Sequence, residues 1–441
     1  MSLLFVGRAF LDGAIRKTKV LVEDGYIVAV GAENALTAER VVELGDHQLL
    51  VPAGVELLAA MRDWAEAPRD TVEDVTKAAL AAGVTVVCDQ CNTVPRIDSP
   101  ELVGRRSEYV AARSYTDFAI ATHPPKDATR LGECLLAGAQ SVQMFPWDLK
   151  PWCEPYDTDD SHASFARIAA AGLQAMIFVD ELALRSTPLK DLSEGYALDA
   201  LLRRLPPELV ARLYVTLPES VDKIVAAKER LPNLSIVVPP FNLLLSDRQA
   251  RERIGIGAFM VPPLRSDEAV AGMRQRAEQG LIDMVMSHRA PHRLSDKYCS
   301  DPVPGEFSPK AGYSQIDITY PLMMTKFGVA TAVRLYSEAP ARHLGLKKGR
   351  IAPGFEADLV VVGEDPGWVH ENIHVTGKTP EIWRVDPTAM FLSRGKVSPF
   401  WGERLAYLPQ KTFLRGQEVY DRSSGVFTRA PTRQVLRAGS R

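Results

Sequence analysis

The sequence is poor in cysteine, has no long apolar run, and shows no excess of charge of either sign. Five cysteines (Cys88, Cys91, Cys134, Cys153, Cys299) in 441 residues cannot make a secreted disulfide framework, and the odd number leaves at least one free thiol. No stretch of 18 or more apolar residues occurs, so no membrane-spanning helix is expected. Lysine and arginine total 52 against 55 for aspartate and glutamate, and a net charge of -3 gives no reason to invoke a nucleic-acid or membrane surface as the main partner. The opening MSLLFVGRAFLDG has no cationic segment followed by an apolar stretch and a small-residue cleavage site, which leads to the expectation of a cytoplasmic protein. There is also no phosphate-cradling glycine loop, nucleophile elbow or aromatic-rich basic stripe.

What is present is an ordinary globular composition, 46% hydrophobic and 24% charged, long enough for a barrel of ~250 residues plus a second domain. The first fifty residues read as short strands, Ser2 to Phe10, Lys19 to Val22, Tyr26 to Val30 and Gln48 to Val51, with a turn at Glu23-Asp24-Gly25. After about Ala53, apolar strand runs alternate with amphipathic helical stretches such as Thr71 to Ala82. Eight such runs occur: Val55 to Ala59, Val84 to Asp89, Asp117 to Thr122, Ser141 to Phe145, Gln174 to Asp180, Leu213 to Thr216, Leu234 to Pro239 and Ile282 to Ser287. They predict an α/β fold, a (β/α)8 TIM-like barrel. Turn-rich strands return at Gly349 to Gly354, Asp358 to Val362, Met390 to Leu392 and Lys411 to Tyr420. The expected layout is therefore a small β-sandwich from both chain ends (1–52 and 346–421), a barrel (53–345), and a flexible basic tail (422–441). That tail carries Arg422, Arg429, Arg433, Arg437 and Arg441 and no acid, and reads either as solvated or as an arm for an acidic partner surface.

Several local groupings resemble sites and read more simply as structure. Cys88 and Cys91 form a C-x-x-C pair without the second pair or the histidines a zinc site needs, so two small buried residues near a strand end are expected. Asp157, Asp159, Asp160 and His162 precede a helical run, where acids favour the helix dipole and Asp160 or Ser161 makes a good N-cap. His123 reads as a loop histidine and His343 as part of a helix-end packing segment.

Five strings, in order, resemble one family. Asp89-Gln90-Cys91-Asn92-Thr93-Val94-Pro95-Arg96-Ile97-Asp98 is similar to the D-x-P-N-T-x-P-x-x-D segment of dihydroorotases. Pro262-Pro263-Leu264-Arg265, Ile282-Asp283, Ala290-Pro291-His292 and Gly349 to Val360 resemble that family's later segments, so the likeness covers nearly the whole chain. The resemblance implies a metal-dependent-hydrolase barrel that opens or closes a cyclic amide, with metal ligands at the C-terminal ends of the strands. Here the D-x-H-x-H-x-R frame reads Glu56-Leu57-Leu58-Ala59-Ala60-Met61-Arg62, the carboxylated-lysine frame ends at Gln143, and the fifth- and sixth-strand histidines are Phe178 and Tyr214. The proton-shuttling aspartate is His288. Ligand positions Leu58, Ala60, Gln143, Phe178, Tyr214 and His288 are expected to pack as hydrocarbon and aromatic surface, with no metal and no cofactor.

The contacts that the resemblance implies for substrate persist: Arg62 for the carboxylate, Asn92 and His292 beside it. Arg62 also points to the dihydroorotase branch and away from plain hydantoin hydrolases. A simpler role for Arg62 is an ion pair with Asp63 or Glu56. The resemblance thus implies a non-catalytic dihydroorotase-like protein of pyrimidine biosynthesis, not an enzyme, that self-associates and serves as a structural or regulatory partner of aspartate transcarbamoylase, with a small dicarboxylate as ligand. Alternatives are a cyclic amidohydrolase working by a metal-free route with His288 or Tyr214 as acid or base, a dihydroorotate or carbamoyl-aspartate sensor built on Arg62, Asn92 and His292, and a scaffold outside pyrimidine synthesis.

Overall fold

The computed structural model describes residues 2–31, 36–145, 159–181, 184, 192–298, 310–364, 384–385, 390–430 and 434–436, without the side chains of 159–161. The chain opens on β1 (Ser2–Leu11), β2 (Ala14–Glu23), β3 (Tyr26–Val30), β4 (Arg40–Glu43) and β5 (Gln48–Pro52). It then passes into β6 (Gly54–Ala59), β7 (Val84–Asp89), β8 (Asp117–Thr122), β9 (Ala139–Met144), β10 (Gln174–Phe178), β11 (Ala211–Tyr214), β12 (Leu234–Val238) and β13 (Met284–Val285). These eight pair in parallel in chain order, and a bridge from Ala59 to Arg289 brings the last strand back to the first. A nearly closed (β/α)8 barrel results, as the alternating runs predicted. Helices cover the outer face of such strands and the barrel interior their inner face, which explains why β6 to β11 are largely apolar and buried throughout.

Local chemistry sets the outer helices. Val72–Ala81 begins where the Thr71 hydroxyl accepts from the Asp74 N–H, and Pro100–Arg113 begins at Ser99, which accepts from the Leu102 N–H, with proline in the first turn. In the second of these, Val103, Arg106, Ser107 and Val110 are buried, at the three- and four-residue spacing of a single helix face.

Strands from both chain ends share a second sheet. β14 (Leu359–Glu364), β15 (Tyr407–Leu414), β16 (Gln417–Asp421) and β17 (Val426–Phe427) join β5, β1, β2 and β3 in the order β17-β16-β15-β14-β5-β1-β2-β3, with β4 beside β1. The sheet curls until the Phe5 and Phe413 rings meet edge to face at 4.9 Å. β5 and β14 serve two cores by strand alternation: Leu50, Leu359 and Val361 face the curl of the sheet, whereas Leu49, Val51, Val360 and Val362 pack into the barrel core. Close approach here requires glycine at Gly83, whose φ is +80° and whose Cβ would lie 3.1 Å from the Val360 methyls.

Three expectations change. Met390 to Leu392 is not a strand of the sheet; Met390 and Phe391 pack with Phe241, Tyr313 and Phe400 over the barrel. Gly349 to Gly354 forms turns, with the Gly354 N–H donating to the Ile27 carbonyl. The described part of the basic tail packs on this chain itself: β17 extends the second sheet, and the rest reaches the barrel. β18 (Val435–Leu436) pairs in parallel with β8, Arg422 donates to the Ala81 carbonyl, and Arg429 donates to the Ala112 and Arg113 carbonyls and to Glu73. Those carbonyls end two helices, where a cation is favoured. Arg433, Arg437 and Arg441 lie outside the described residues. Among the described residues no helix is long and apolar enough to cross a membrane.

Candidate functional site

The loop after β6 carries Arg62 in a conformation that L-residues avoid: Arg62, Asp63 and Trp64 have φ of 54°, 68° and 50°. Each such residue costs about 1–3 kcal/mol and persists only where its surroundings over-determine it. They do so here. Asp89 accepts from the Met61 N–H and is paired with the fully buried Arg106 at 2.7 Å, while Asp63 accepts from the Val72 N–H and the Tyr109 hydroxyl. Arg106 in turn lies 5.0 Å from the Trp64 ring.

This loop places the Arg62 guanidinium at the mouth of the barrel, buried, 3.0 Å from Glu66 and 3.5 Å from His292 Nε2. Its ion-pair partner is Glu66, not Asp63 or Glu56; Glu56 sits inside the barrel and takes the Tyr336 hydroxyl and the Leu58 and Ser287 N–H groups. His292 Nε2 is 3.0 Å from the Ala311 carbonyl, which can only accept, so Nε2 carries the proton and Nδ1 the lone pair. Burial, then Arg62, Arg69 and Lys297, push the His292 pKa well below the ordinary histidine value, so the ring is neutral. Arg62 Nε, His292 Nδ1 and Asn92 Oδ1 are buried with no hydrogen-bond partner among the described residues. The structure thus brings Arg62 and His292 together, whereas no hydrogen bond joins Asn92 to either.

Over this site lies the C-terminal segment around 390–398. Fully buried Arg289 holds it by donating to Asp70, the Ala60 carbonyl and Ser393 Oγ, and Asp317 accepts from Ser393 Oγ and the Leu392 N–H. Gly395 sits so close that a Cβ would lie 2.5 Å from the His292 carbonyl oxygen.

The rest of the mouth is aromatic. Ring centroids run from His123 to Phe145 at 5.7 Å, Phe145 to Phe178 at 4.3 Å, Phe178 to Tyr214 at 5.4 Å, Tyr214 to His288 at 5.2 Å, His288 to Phe241 at 6.0 Å and Phe241 to Tyr313 at 5.3 Å. Phe178, Tyr214 and His288 do pack together as the sequence suggested; Gln143 instead accepts from the Cys91 N–H and thiol. The residues at the implied ligand positions do not fit a metal ion. His288 is the one ordinary donor, enclosed by rings, and the Tyr214 hydroxyl is turned to Asn242 at 2.7 Å. Among the described residues no group of three or more His, Cys, Asp or Glu could hold a metal.

Other expectations resolve plainly. Cys88 and Cys91 are buried thiols and not a disulfide pair. His123 lies in the loop after β8, as expected, but it is 2% exposed, and burial, then Arg96, pushes its pKa down to about 3. His162 is exposed and bonds the Arg204 carbonyl, while Asp157 and the side chains of Asp159 and Asp160, like Cys153 and Cys299, lie outside the described residues. The His343 carbonyl accepts from Gln174. Sequence reasoning missed Phe145, Phe241, Tyr313 and Lys297. The Lys297 amine donates to the Phe259 carbonyl, lies 5.0 Å from the Tyr313 ring, and is pushed down by burial to about 7. Nothing in their local sequence marks them, since they meet only across loops.

Fold and mouth together define a (β/α)8 barrel of the amidohydrolase type with a β-sheet domain built from both chain ends. A family model described as the amidohydrolase family matches residues 312–397. The chain is 27% identical over 420 residues to a dihydroorotase of Anaplasma phagocytophilum (strain HZ), covering 88% of this chain and 86% of that protein. It is 26% identical over 452 residues to a dihydroorotase of Ligilactobacillus salivarius (strain UCC118), covering 96% and 99%. In fold it is similar to the L-hydantoinase (dihydropyrimidinase) from Arthrobacter aurescens, with a TM-score of 0.82, 21% identity and 97% of each chain covered. These findings support the cyclic amidohydrolase superfamily for this chain.

They also overturn one expectation. The chain was expected not to be an enzyme, yet the relatives and structural neighbours are named dihydroorotase and hydantoinase, which are active hydrolases. The replaced ligands are a statement about metal donors, not about turnover.

Proposed function

We propose that the chain is a cytoplasmic, dihydroorotase-branch protein of pyrimidine biosynthesis. In this reading it holds a dihydroorotate- or carbamoyl-aspartate-like ligand at the barrel mouth and works as a structural or regulatory partner of aspartate transcarbamoylase. The observation that carries the ligand is the set of unpartnered buried atoms. Arg62 Nε is a donor suited to a carboxylate, and His292 Nδ1 and Asn92 Oδ1 are acceptors suited to amide N–H groups. A ligand with a carboxylate and amide N–H groups on one small frame answers all three, and the strained Arg62 loop supports a functional placement. The likeness to dihydroorotases along most of the chain supports the pathway and, through it, the partner.

Calorimetry of the full chain with dihydroorotate and with carbamoyl aspartate is expected to give saturable heat, weakened about tenfold or more, or about 1.4 kcal/mol, in Arg62→Gln. No heat from the wild type would remove the ligand. Gel filtration with the same organism's aspartate transcarbamoylase is expected to shift both proteins to one larger species and also reads self-association; separate elution at micromolar concentrations removes the partner. A second reading, turnover of a cyclic amide, is favoured by the names of the relatives. A dihydroorotate assay decides it, since the pair His288 and Tyr214, ring centroids 5.2 Å apart, is the acid–base candidate there, and a wild-type rate unchanged in Tyr214→Phe would remove that role.

A further inference from the structure

Arg212 lies on β11, two residues before Tyr214, so strand alternation sends its side chain to the same face, into the barrel interior below the aromatic chain. It is fully buried, as are Arg106 and Arg289. Those two have carboxylates: Arg106 pairs with Asp89 and Arg289 with Asp70, as the buried Arg265 does with Glu194. Arg212 has none among the described residues. Its Nε, Nη1 and Nη2 make no hydrogen bond among the described residues.

Among the described residues the neighbourhood offers no substitute anion. The one titratable group among them that acts on Arg212 is the Cys88 thiol, and burial pushes that thiol up to about 12, so it is neutral at pH 7. Glu56, which also acts on Cys88, is already engaged by the Tyr336 hydroxyl and two backbone N–H groups. The cross-strand neighbours of Arg212 are Met176 and Ser235, neither of them charged. Burial lowers the guanidinium's pKa, but arginine does not give up its proton in proteins. A lone buried charge of this kind costs several kcal/mol unless something meets it. The five N–H donors of a guanidinium point outward in a plane, and Cys88 and Ser235 are small. With a single cation and no second basic group on it, the place suits one negative charge, and enclosure suits a small, weakly hydrated ion.

We infer that Arg212 forms an enclosed site for a small monovalent anion of the halide class inside the barrel, beneath the ring chain of Phe178, Tyr214 and His288. The site is separate from the Arg62 mouth and stands whether or not that mouth binds a carboxylate. An ion held there ties β11 to its neighbours and makes the stability of the barrel depend on anion concentration.

Crystals of the full chain grown in sodium bromide, measured at the bromine absorption edge, are expected to show an anomalous peak within hydrogen-bonding reach of the Arg212 guanidinium. Uncharged solvent density there, or bromide on the outer surface alone, overturns the inference. In solution, a tenfold rise in chloride is expected to lift the melting temperature by about 1–2 °C over potassium gluconate at equal ionic strength, with the difference lost in Arg212→Met. Equal melting of the wild type in chloride and gluconate overturns it as well. If Arg212→Met does not fold, the two wild-type measurements decide.

Discussion

Lys348→Met is expected to destabilise the protein by about 3–5 kcal/mol, because it removes the centre of a buried charge cluster where barrel and β-sheet domain meet. The Lys348 amine is 2.5 Å from Asp358, 2.8 Å from Glu356 and 3.1 Å from Asp117, and all but Glu356 are essentially without exposure. Arg415 shares the cluster, 2.7 Å from Asp117 and 2.8 Å from Glu356. Burial pulls the lysine pKa down, but Asp358, Asp117 and Glu356 together raise it above the ordinary value, so the attraction exceeds the desolvation. Without Lys348, three carboxylates face one guanidinium in a dry interface. Asp117 also accepts from the Gln434 N–H, so the docked tail should loosen with it. Urea unfolding measures the loss, and Lys223→Met, at an exposed pair with Asp199, should lose less than about 1 kcal/mol. A loss at Lys348 no larger than at Lys223 would sink the argument, and Asp358→Asn in the Lys348→Met background should restore part of the stability by removing one uncompensated charge.

His288→Phe is expected to make the protein less sensitive to acid. Burial among rings holds the His288 pKa down at about 3 in the folded state, against 6.5 for a free histidine. Between those values the unfolded chain binds a proton that the folded chain refuses, so stability is complete above about pH 6.5 and falls as pH drops. The ring accounts for about 3 kcal/mol lost between pH 7 and 4.5, at about 1.4 kcal/mol per pKa unit. Phenylalanine fits the same aromatic surroundings and carries no proton. Denaturant unfolding at pH 7 and pH 4.5 should show the variant losing about 3 kcal/mol less than the wild type over that interval. Equal losses would mean that the ring is reached by water or paired in the folded protein.

The barrel was legible because its strands are buried on both faces and therefore stand out as apolar runs; the eight expected runs overlap the eight strands observed. Met390 to Leu392 misled for the same reason, since an apolar triplet that packs under a loop looks like a short strand. At the mouth, Arg62 and His292 could be named from the strings around them, and the structure brings them together. The acid beside Arg62 could not be named, because the left-handed turn at 62–64 swings the guanidinium past Asp63 to Glu66.

By itself the sequence determined the architecture and the apolar and aromatic residues Phe178 and Tyr214 of the mouth, since periodicity and residue type survive any detail of packing. Only the tertiary structure decided which buried charges are met and which are not. Arg106, Arg265 and Arg289 find carboxylates 17, 71 and 219 residues away, whereas Arg212 finds none among the described residues. Charge pairing depends on a few ångströms across neighbouring strands and loops, and no local pattern in the chain encodes that distance.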